Sequence, residues 1–127
     1  MKLKILLAAA LMAGGPATPV FAQESGETFI LRVFGKSTWR VECVMETDRG
    51  TSRPKARGRG STSSGSVVAR DALSGSCTAE ASPRGPLQLT LVDNTGSFDC
   101  PFGDMVDDLC RASIAPGDEY AFDVSLN

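Results

Sequence analysis

The sequence contains no histidine, and this absence excludes several common kinds of active site. Without an imidazole there is no Ser–His–Asp or Cys–His nucleophile and no histidine metal ligand. Lysine is scarce as well: beyond the first 22 residues only Lys36 and Lys55 remain, both in turn or loop contexts that do not suit the buried lysine of a Ser–Lys pair. We therefore predict that the chain is not an enzyme, has no catalytic residues and needs no cofactor.

Carboxylates are the remaining metal-ligand candidates, and five of them lie between residues 93 and 108. A calcium site of the EF-hand type requires oxygen ligands at alternating positions and a closing glutamate, a spacing that this stretch does not have. Turn formation explains Asp93, and a helix N-terminus would explain Asp104 and Asp107. We expect no metal site among these residues, which are Asp93, Asp99, Asp104, Asp107 and Asp108.

Long hydrophobic runs are also missing, with one exception near the start. Ile5–Ala13 is an unbroken apolar run of nine residues, well below the roughly 20 that a membrane-spanning helix needs. Lys2 and Lys4 precede it, and Val20-Phe21-Ala22 fits the −3 and −1 positions of a signal-peptidase site. The sequence therefore predicts a signal peptide over residues 1–22 and a bacterial-type exported protein, periplasmic or secreted, without a transmembrane segment.

Cysteine is present in an even number, four, and all four lie beyond the predicted signal peptide. In an oxidising compartment this pattern indicates two disulfides, for which three pairings are possible. We prefer Cys43–Cys77, which would join two strand-like segments, and Cys100–Cys110, which would close a short loop containing a proline and a glycine. The absence of a CxxC motif and the wide spacing argue against redox exchange and against a zinc site.

Alternating apolar and polar residues, typical of half-buried β-strands, recur along the rest of the chain. They are clearest over 28–34, 39–46, 87–92 and 120–126. Shorter strands are predicted over 67–69 and 77–81, on either side of a turn at Ser74–Ser76, and one short helix is predicted near 104–110. The pattern predicts a single all-β domain over 23–127, a small antiparallel β-sandwich of about six or seven strands.

The segment Ile114-Ala115-Pro116-Gly117-Asp118-Glu119-Tyr120, which continues into Phe122 and Val124, resembles the corner before a late strand in fibronectin type III-like domains. In those domains a tyrosine hydroxyl bonds back to upstream backbone. The resemblance implies a sandwich in which Tyr120 has this role. It implies nothing about function, because one fold hosts many functions.

The chain is mildly acidic, with 15 acidic against 13 basic residues, so we do not expect a nucleic-acid partner. Residues 48–66 depart from this balance: they are rich in glycine, serine and threonine, and they predict a long, mobile basic loop. The loop is either solvated without a ligand or a site for an anionic partner, since arginine forms paired hydrogen bonds with phosphate and carboxylate. The candidate binding residues are Arg49, Arg53, Lys55, Arg57 and Arg59.

These features together predict a non-enzymatic binding module of the bacterial envelope. Its predicted partner is an anionic envelope component, such as lipopolysaccharide or peptidoglycan stems, or an acidic patch on another protein. An alternative is a secreted or periplasmic inhibitor that inserts the 48–66 loop into the cleft of a protease or lysozyme. A third hypothesis is a structural subunit that docks through an exposed edge strand.

Export predicts a processed chain that begins at Gln23, because signal peptidase would cleave after Ala22. The intact mass of the protein recovered from the exported fraction measures this directly. A product that retains Met1, or one that carries a lipid, would contradict the prediction.

Overall fold

The computed structural model describes residues 25–93, 96–103 and 109–127. In these ranges every regular element is a β-strand, so the predicted all-β, antiparallel fold is confirmed, and no helix there could cross a membrane. The predicted signal peptide and residues 104–108 of the predicted helix lie outside the described ranges, whereas Cys110, at the end of that helix, begins a strand. The strands number eight, and they are β1 (Glu27–Lys36), β2 (Arg40–Thr47), β3 (Gly50–Ser52), β4 (Lys55–Arg57), β5 (Thr62–Glu80), β6 (Leu87–Val92), β7 (Cys110–Ile114) and β8 (Glu119–Ser125).

Strand β5, with 19 residues, belongs to two layers of strands. Its first half pairs with β1, with Thr62 opposite Lys36. Its second half pairs with β2 on one edge and with β8 on the other, so that Glu80 lies opposite both Arg40 and Glu119. β6 pairs with β1 and β7 with β6, whereas β3 and β4 both pair with the outer edge of β2. One layer is therefore β7-β6-β1-β5 and the other is β8-β5-β2 with β3 and β4, a sandwich-like arrangement.

The change of layer takes place at Asp71, within β5. Asp71 has a φ of 56°, and the register of both neighbouring strands shifts beside it, where Ala72 lies opposite residues of β1 and of β2. Bulges of this kind let a strand turn from one sheet into another. The Asp71 carbonyl accepts a hydrogen bond from the Asp48 amide at 3.1 Å, and Gly26 lies so close to this carbonyl that a Cβ there would overlap it.

The hydrophobic core lies between the two layers. Each strand of the layers buries one face and exposes the other, and the buried faces form one cluster. Complete burial of a Leu or Phe side chain contributes about 1.5–3 kcal/mol, so the alternation along the strands is the main favourable term in folding. The largest fully buried side chains include Phe29, Leu31, Met45, Leu87 and Leu89.

The turn predicted at Ser74–Ser76 is wrong, because β5 runs straight through these residues. Gly75 lies opposite Met45 of β2, and a Cβ at Gly75 would overlap the Met45 sulfur. Glycine is therefore present here because the Met45 side chain occupies the space above the strand. In this position the residue indicates close packing within a strand rather than a change of chain direction.

Both predicted disulfides are confirmed. Cys43–Cys77 joins directly opposed residues of β2 and β5, and its Cα atoms are 4.0 Å apart. Cys100–Cys110 joins the connection that follows β6 to the first residue of β7, and its Cα atoms are 5.6 Å apart. The sequence separations are 34 and 10 residues. In the chain-entropy model such loops stabilise the fold by about 3.8 and about 2.7 kcal/mol, which is comparable with the whole net stability of a small domain.

The corner implied for Tyr120 by the fibronectin type III resemblance is not formed. The Tyr120 hydroxyl makes no hydrogen bond with the described residues, and its ring instead stacks on Phe122, with 5.5 Å between the ring centroids. Phe102 packs against both rings, with centroids 6.2 Å from Tyr120 and 4.9 Å from Phe122. Residues two apart in a strand point to the same side, so β8 directs Tyr120 into this aromatic cluster.

Gly26→Ala tests the contact at the bend of β5. The added Cβ would overlap backbone that the bend holds in place, so we expect the free energy of unfolding to fall by about 2–3 kcal/mol, as for other overpacked sites. Thr28→Ser, an exposed change two residues away, should stay within about 0.5 kcal/mol. Urea denaturation of the oxidised proteins measures both, and equal midpoints would show that the contact does not constrain the fold.

Candidate functional site

The basic segment is not a long loop, and the prediction of a mobile loop over 48–66 is wrong. Gly50–Ser52 and Lys55–Arg57 are strands that pair with β2, and from Thr62 onward the chain belongs to β5. Between the two short strands the Pro54 carbonyl accepts a hydrogen bond from the Cys43 amide at 2.9 Å. The segment therefore covers the outer edge of β2, whose backbone groups would otherwise be unpaired. Proline has no N–H to donate, which explains the interruption between β3 and β4.

The indole of Trp39 fixes the backbone that follows β4. Trp39 is buried, and Gly58 lies against its ring so closely that a Cβ on Gly58 would overlap it. The Gly58 amide donates to the Trp39 carbonyl at 2.9 Å, and the indole N–H donates to the Ser63 hydroxyl at 2.9 Å. The Ser63 hydroxyl also accepts a hydrogen bond from the Arg59 amide at 3.1 Å. Residues 57–63 are therefore wrapped around one buried ring.

Four basic side chains project from β4 and the residues on either side of it, and we call them the basic edge: Arg53, Lys55, Arg57 and Arg59. All four are exposed, whereas Ala56, between Lys55 and Arg57, packs against the core. Their side chains make no ion pair or hydrogen bond with the described part of the chain. The donors of the basic edge are therefore available to an external anion.

Arg49, the fifth candidate, does not join the basic edge. It follows β2 at the end opposite Arg57, which pairs with Arg40 at the beginning of β2. At about 3.3 Å per residue, the eight residues of β2 separate the two ends by more than 20 Å. Arg49 instead forms an ion pair at the bend of β5, where its Nε lies 3.9 Å from the Asp71 carboxylate.

Arg40 lies beside the basic edge but is already paired. Its Nη2 donates to the Glu80 Oε1 at 3.0 Å, and its Nε lies 3.9 Å from the Glu42 Oε2. The hydrogen bond and charge of Glu80 raise the pKa of Arg40 above its ordinary value. Because Glu80 neutralises the charge of Arg40, Arg57 can lie directly opposite Arg40 on β4 without strong repulsion between the two guanidiniums. Sequence reasoning missed Arg40, although the outward positions of the β2 alternation included it.

A shallow depression of about 360 Å³ connects these groups. Its lining includes Arg57 and Arg59, the paired Arg40 and Glu80, and the chain that follows β5. The exposed guanidiniums of Arg57 and Arg59 can form forked hydrogen bonds with a carboxylate or phosphate, and the depression is shallow and open. The depression therefore suits the end group of an anionic molecule rather than a buried ligand.

The carboxylates considered as metal ligands do not form a cluster in the described part of the chain, which contains no group of three or more Cys, Asp or Glu side chains placed to hold a metal ion. The Asp93 carboxylate accepts a hydrogen bond from the Phe98 amide at 2.7 Å, as a turn-forming residue does. Asp104, Asp107 and Asp108 lie outside the described residues.

Gly58→Ala tests the contact between Trp39 and the basic edge. The added Cβ would overlap the indole, so we expect about 2 kcal/mol less stability and a red-shifted emission, since Trp39 is the only tryptophan. Gly60→Ala is the matched control, because Gly60 has a φ of +75° but open space around its Cβ position. It should lower stability through backbone strain and leave the emission unchanged. An unchanged emission in Gly58→Ala would contradict the contact.

Trp39, Gly58 and Ser63 are the positioning residues that sequence reasoning missed. The available signal was a glycine-rich segment that follows the strand next to Trp39, since a ring can approach the backbone this closely only at a residue without a side chain. No family model matches the sequence, and no curated protein or solved structure shows significant similarity to it. Function must therefore be argued from the surfaces of this chain.

Proposed function

We propose that this chain is an exported, non-enzymatic binding module of the bacterial envelope that recruits an anionic partner through the basic edge. The observation that carries the proposal is the pair Arg57 and Arg59: both guanidiniums are exposed and without an acidic partner in the described structure, on backbone that Trp39 fixes. The two disulfides are compatible with an oxidising, extracytoplasmic compartment.

Fixed backbone favours binding for a general reason. A mobile loop loses conformational entropy when it binds, and that loss lowers the affinity. In this structure the hydrogen bonds to Trp39 and Ser63 have already ordered the residues that present the guanidiniums. Only the side chains of the basic edge need to be ordered by the partner. A carboxylate or phosphate group on an envelope polymer, or on an acidic protein surface, has the required chemistry.

The inhibitor alternative depended on a protruding loop at 48–66. The described structure has strands there, which lie along β2 instead of extending away from the sheet. Insertion into an enzyme cleft would require this segment to leave the edge of β2 and to expose backbone groups that are now paired. The basic edge consequently favours recognition of a surface group over insertion into a cleft.

Replacing Arg53, Lys55, Arg57 and Arg59 with Ser tests the proposal. Because these side chains are exposed and make no ion pair in the described structure, we expect the free energy of unfolding to change by no more than about 0.5 kcal/mol. Affinity for two soluble probes, a carboxylate-rich peptidoglycan stem peptide and a short polyphosphate, should fall about tenfold or more, because charge-assisted hydrogen bonds are lost. Calorimetric titration over a series of salt concentrations measures the affinities, and the wild-type affinity should fall as salt rises.

The matched control removes four exposed cations from elsewhere on the surface: Arg32, Lys36, Arg70 and Arg84. This variant has the same net charge as the edge variant and should keep its affinity for the soluble probes. Equal losses in the two variants would show that overall charge, rather than the basic edge, determines binding. If the edge variant bound the soluble probes as tightly as the wild type does, the proposed site would be excluded.

A further inference from the structure

The outer face of the β7-β6-β1-β5 layer has an unusual composition. In β1 every second residue from Ile30 to Lys36 points away from the core, and the same alternation holds in the first half of β5. The register aligns these outward residues into rows across the strands, in which Phe34 lies between Ser64 on β5 and Gln88 on β6. We call this outward side of β7, β6, β1 and the first half of β5 the basic face.

Cations occupy the basic face without any carboxylate. The register places Arg32 opposite Thr90, and Thr90 opposite Arg111, so the two arginines flank Thr90 from backbones about 10 Å apart. The Arg111 Nε is buried and has no hydrogen-bond partner in the described structure, so no internal acceptor compensates it. No outward residue of these four strand segments is Asp or Glu. The cations are Arg32, Lys36, Arg70 and Arg111.

Exposed apolar side chains lie among these cations. Four large hydrophobic residues are exposed in the described ranges; Phe34 at 51% and Val68 at 46% belong to this layer, and Leu109 at 45% immediately precedes β7. Ile30 lies between Val68 of β5 and Val92 of β6, which extends the apolar surface into a row across three strands. Contiguous exposed apolar surface in a soluble domain indicates an interaction site.

The opposite face of the sandwich carries charges of both signs. The outward residues of β2, β8 and the second half of β5 include five carboxylates, and the one arginine among them, Arg40, is paired with Glu80. Lys55 and Arg57 of β4 lie opposite Glu42 and Arg40 and share this face, so carboxylates and cations are mixed there, unlike on the basic face. The five carboxylates belong to Glu42, Glu46, Glu80, Glu119 and Asp123.

We propose that the basic face docks on the surface of an anionic lipid bilayer. A small soluble anion would use the cations but not Phe34, Val68 and Leu109, whereas a bilayer surface satisfies both groups, since phosphates contact the cations and the apolar side chains enter the headgroup region. The outer side of a sheet offers both to a planar partner at once. The opposite face has five carboxylates among its cations and lacks the apolar row across three strands, so it matches such a surface less well than the basic face does. This site is independent of the basic edge, which lies with the β2 layer.

Sedimentation of the oxidised, exported protein with lipid vesicles tests this inference. We expect binding to vesicles that contain phosphatidylglycerol, loss of binding at high salt, and little binding to phosphatidylcholine vesicles. Replacing Arg32, Lys36 and Arg70 with Ser should weaken the partition into anionic vesicles roughly a hundredfold, about fivefold for each cation. Phe34→Thr with Val68→Thr should also weaken it, while the dependence on salt stays that of the wild type, because these changes remove apolar contact only.

The control for charge is the Ser variant of Lys55, Arg57 and Arg59, which loses the same number of cations from the basic edge. It should weaken binding to anionic vesicles much less than the variant of Arg32, Lys36 and Arg70 does, and the emission of Trp39 should show that every variant is folded. Equal weakening by the two triple variants would overturn the inference. It would also be overturned if wild-type protein ignored anionic vesicles but bound an immobilised acidic polypeptide. Binding of the soluble probes to the basic edge is measured separately, and neither result changes it. Either proposal can therefore fail while the other stands.

Discussion

The bend of β5 at Asp71 is the constraint on which the rest of the structure depends. One strand can serve two layers only if it changes direction where β1 begins on one side and β2 ends on the other, and Ala72 is opposite both strands at that point. Gly26 gives the Asp71 carbonyl the space that it needs, and Asp48 donates a hydrogen bond to it. A straight strand of this length would leave two single sheets, each with an apolar face in water.

The layers that the bend creates determine what each surface can present. β2 has its inner edge on β5, so its outer edge needs a partner, and the segment that contains the basic residues supplies it. Trp39 then closes the end of the sandwich by packing over Gly58 and beside Gly65. The position of the basic edge follows from backbone pairing and from one buried ring. Its four side chains are consequently available for binding without a role in folding.

The sequence predicted the elements whose own residues determine their structure. β1, β2, β6 and β8 carry large apolar residues at alternate positions. The preference for pairing Cys43 with Cys77 rested on two strand-like segments, which are β2 and the second half of β5. β3 and β4 have three residues each and no large apolar side chain, so only their pairing with β2 makes them strands. Gly75 was misleading for a related reason, since a glycine required by the packing of Met45 has the same local signature as one in a turn. Contacts between distant parts of the chain decide these cases.

The net charge of this chain is a poor indicator of the charge on any one of its faces. A net charge averages over faces, whereas a partner meets one face at a time. Alternation in a strand separates neighbours onto opposite sides, so Arg32 and Phe34 share a side from which Leu31 and Val33 are absent. Register then aligns such residues from strands far apart in sequence, as it does for Arg32 and Arg111. At a Debye length of about 8 Å, charges on the opposite side of a sandwich are largely screened, so a chain with a negative net charge can still present a cationic face to an anionic surface.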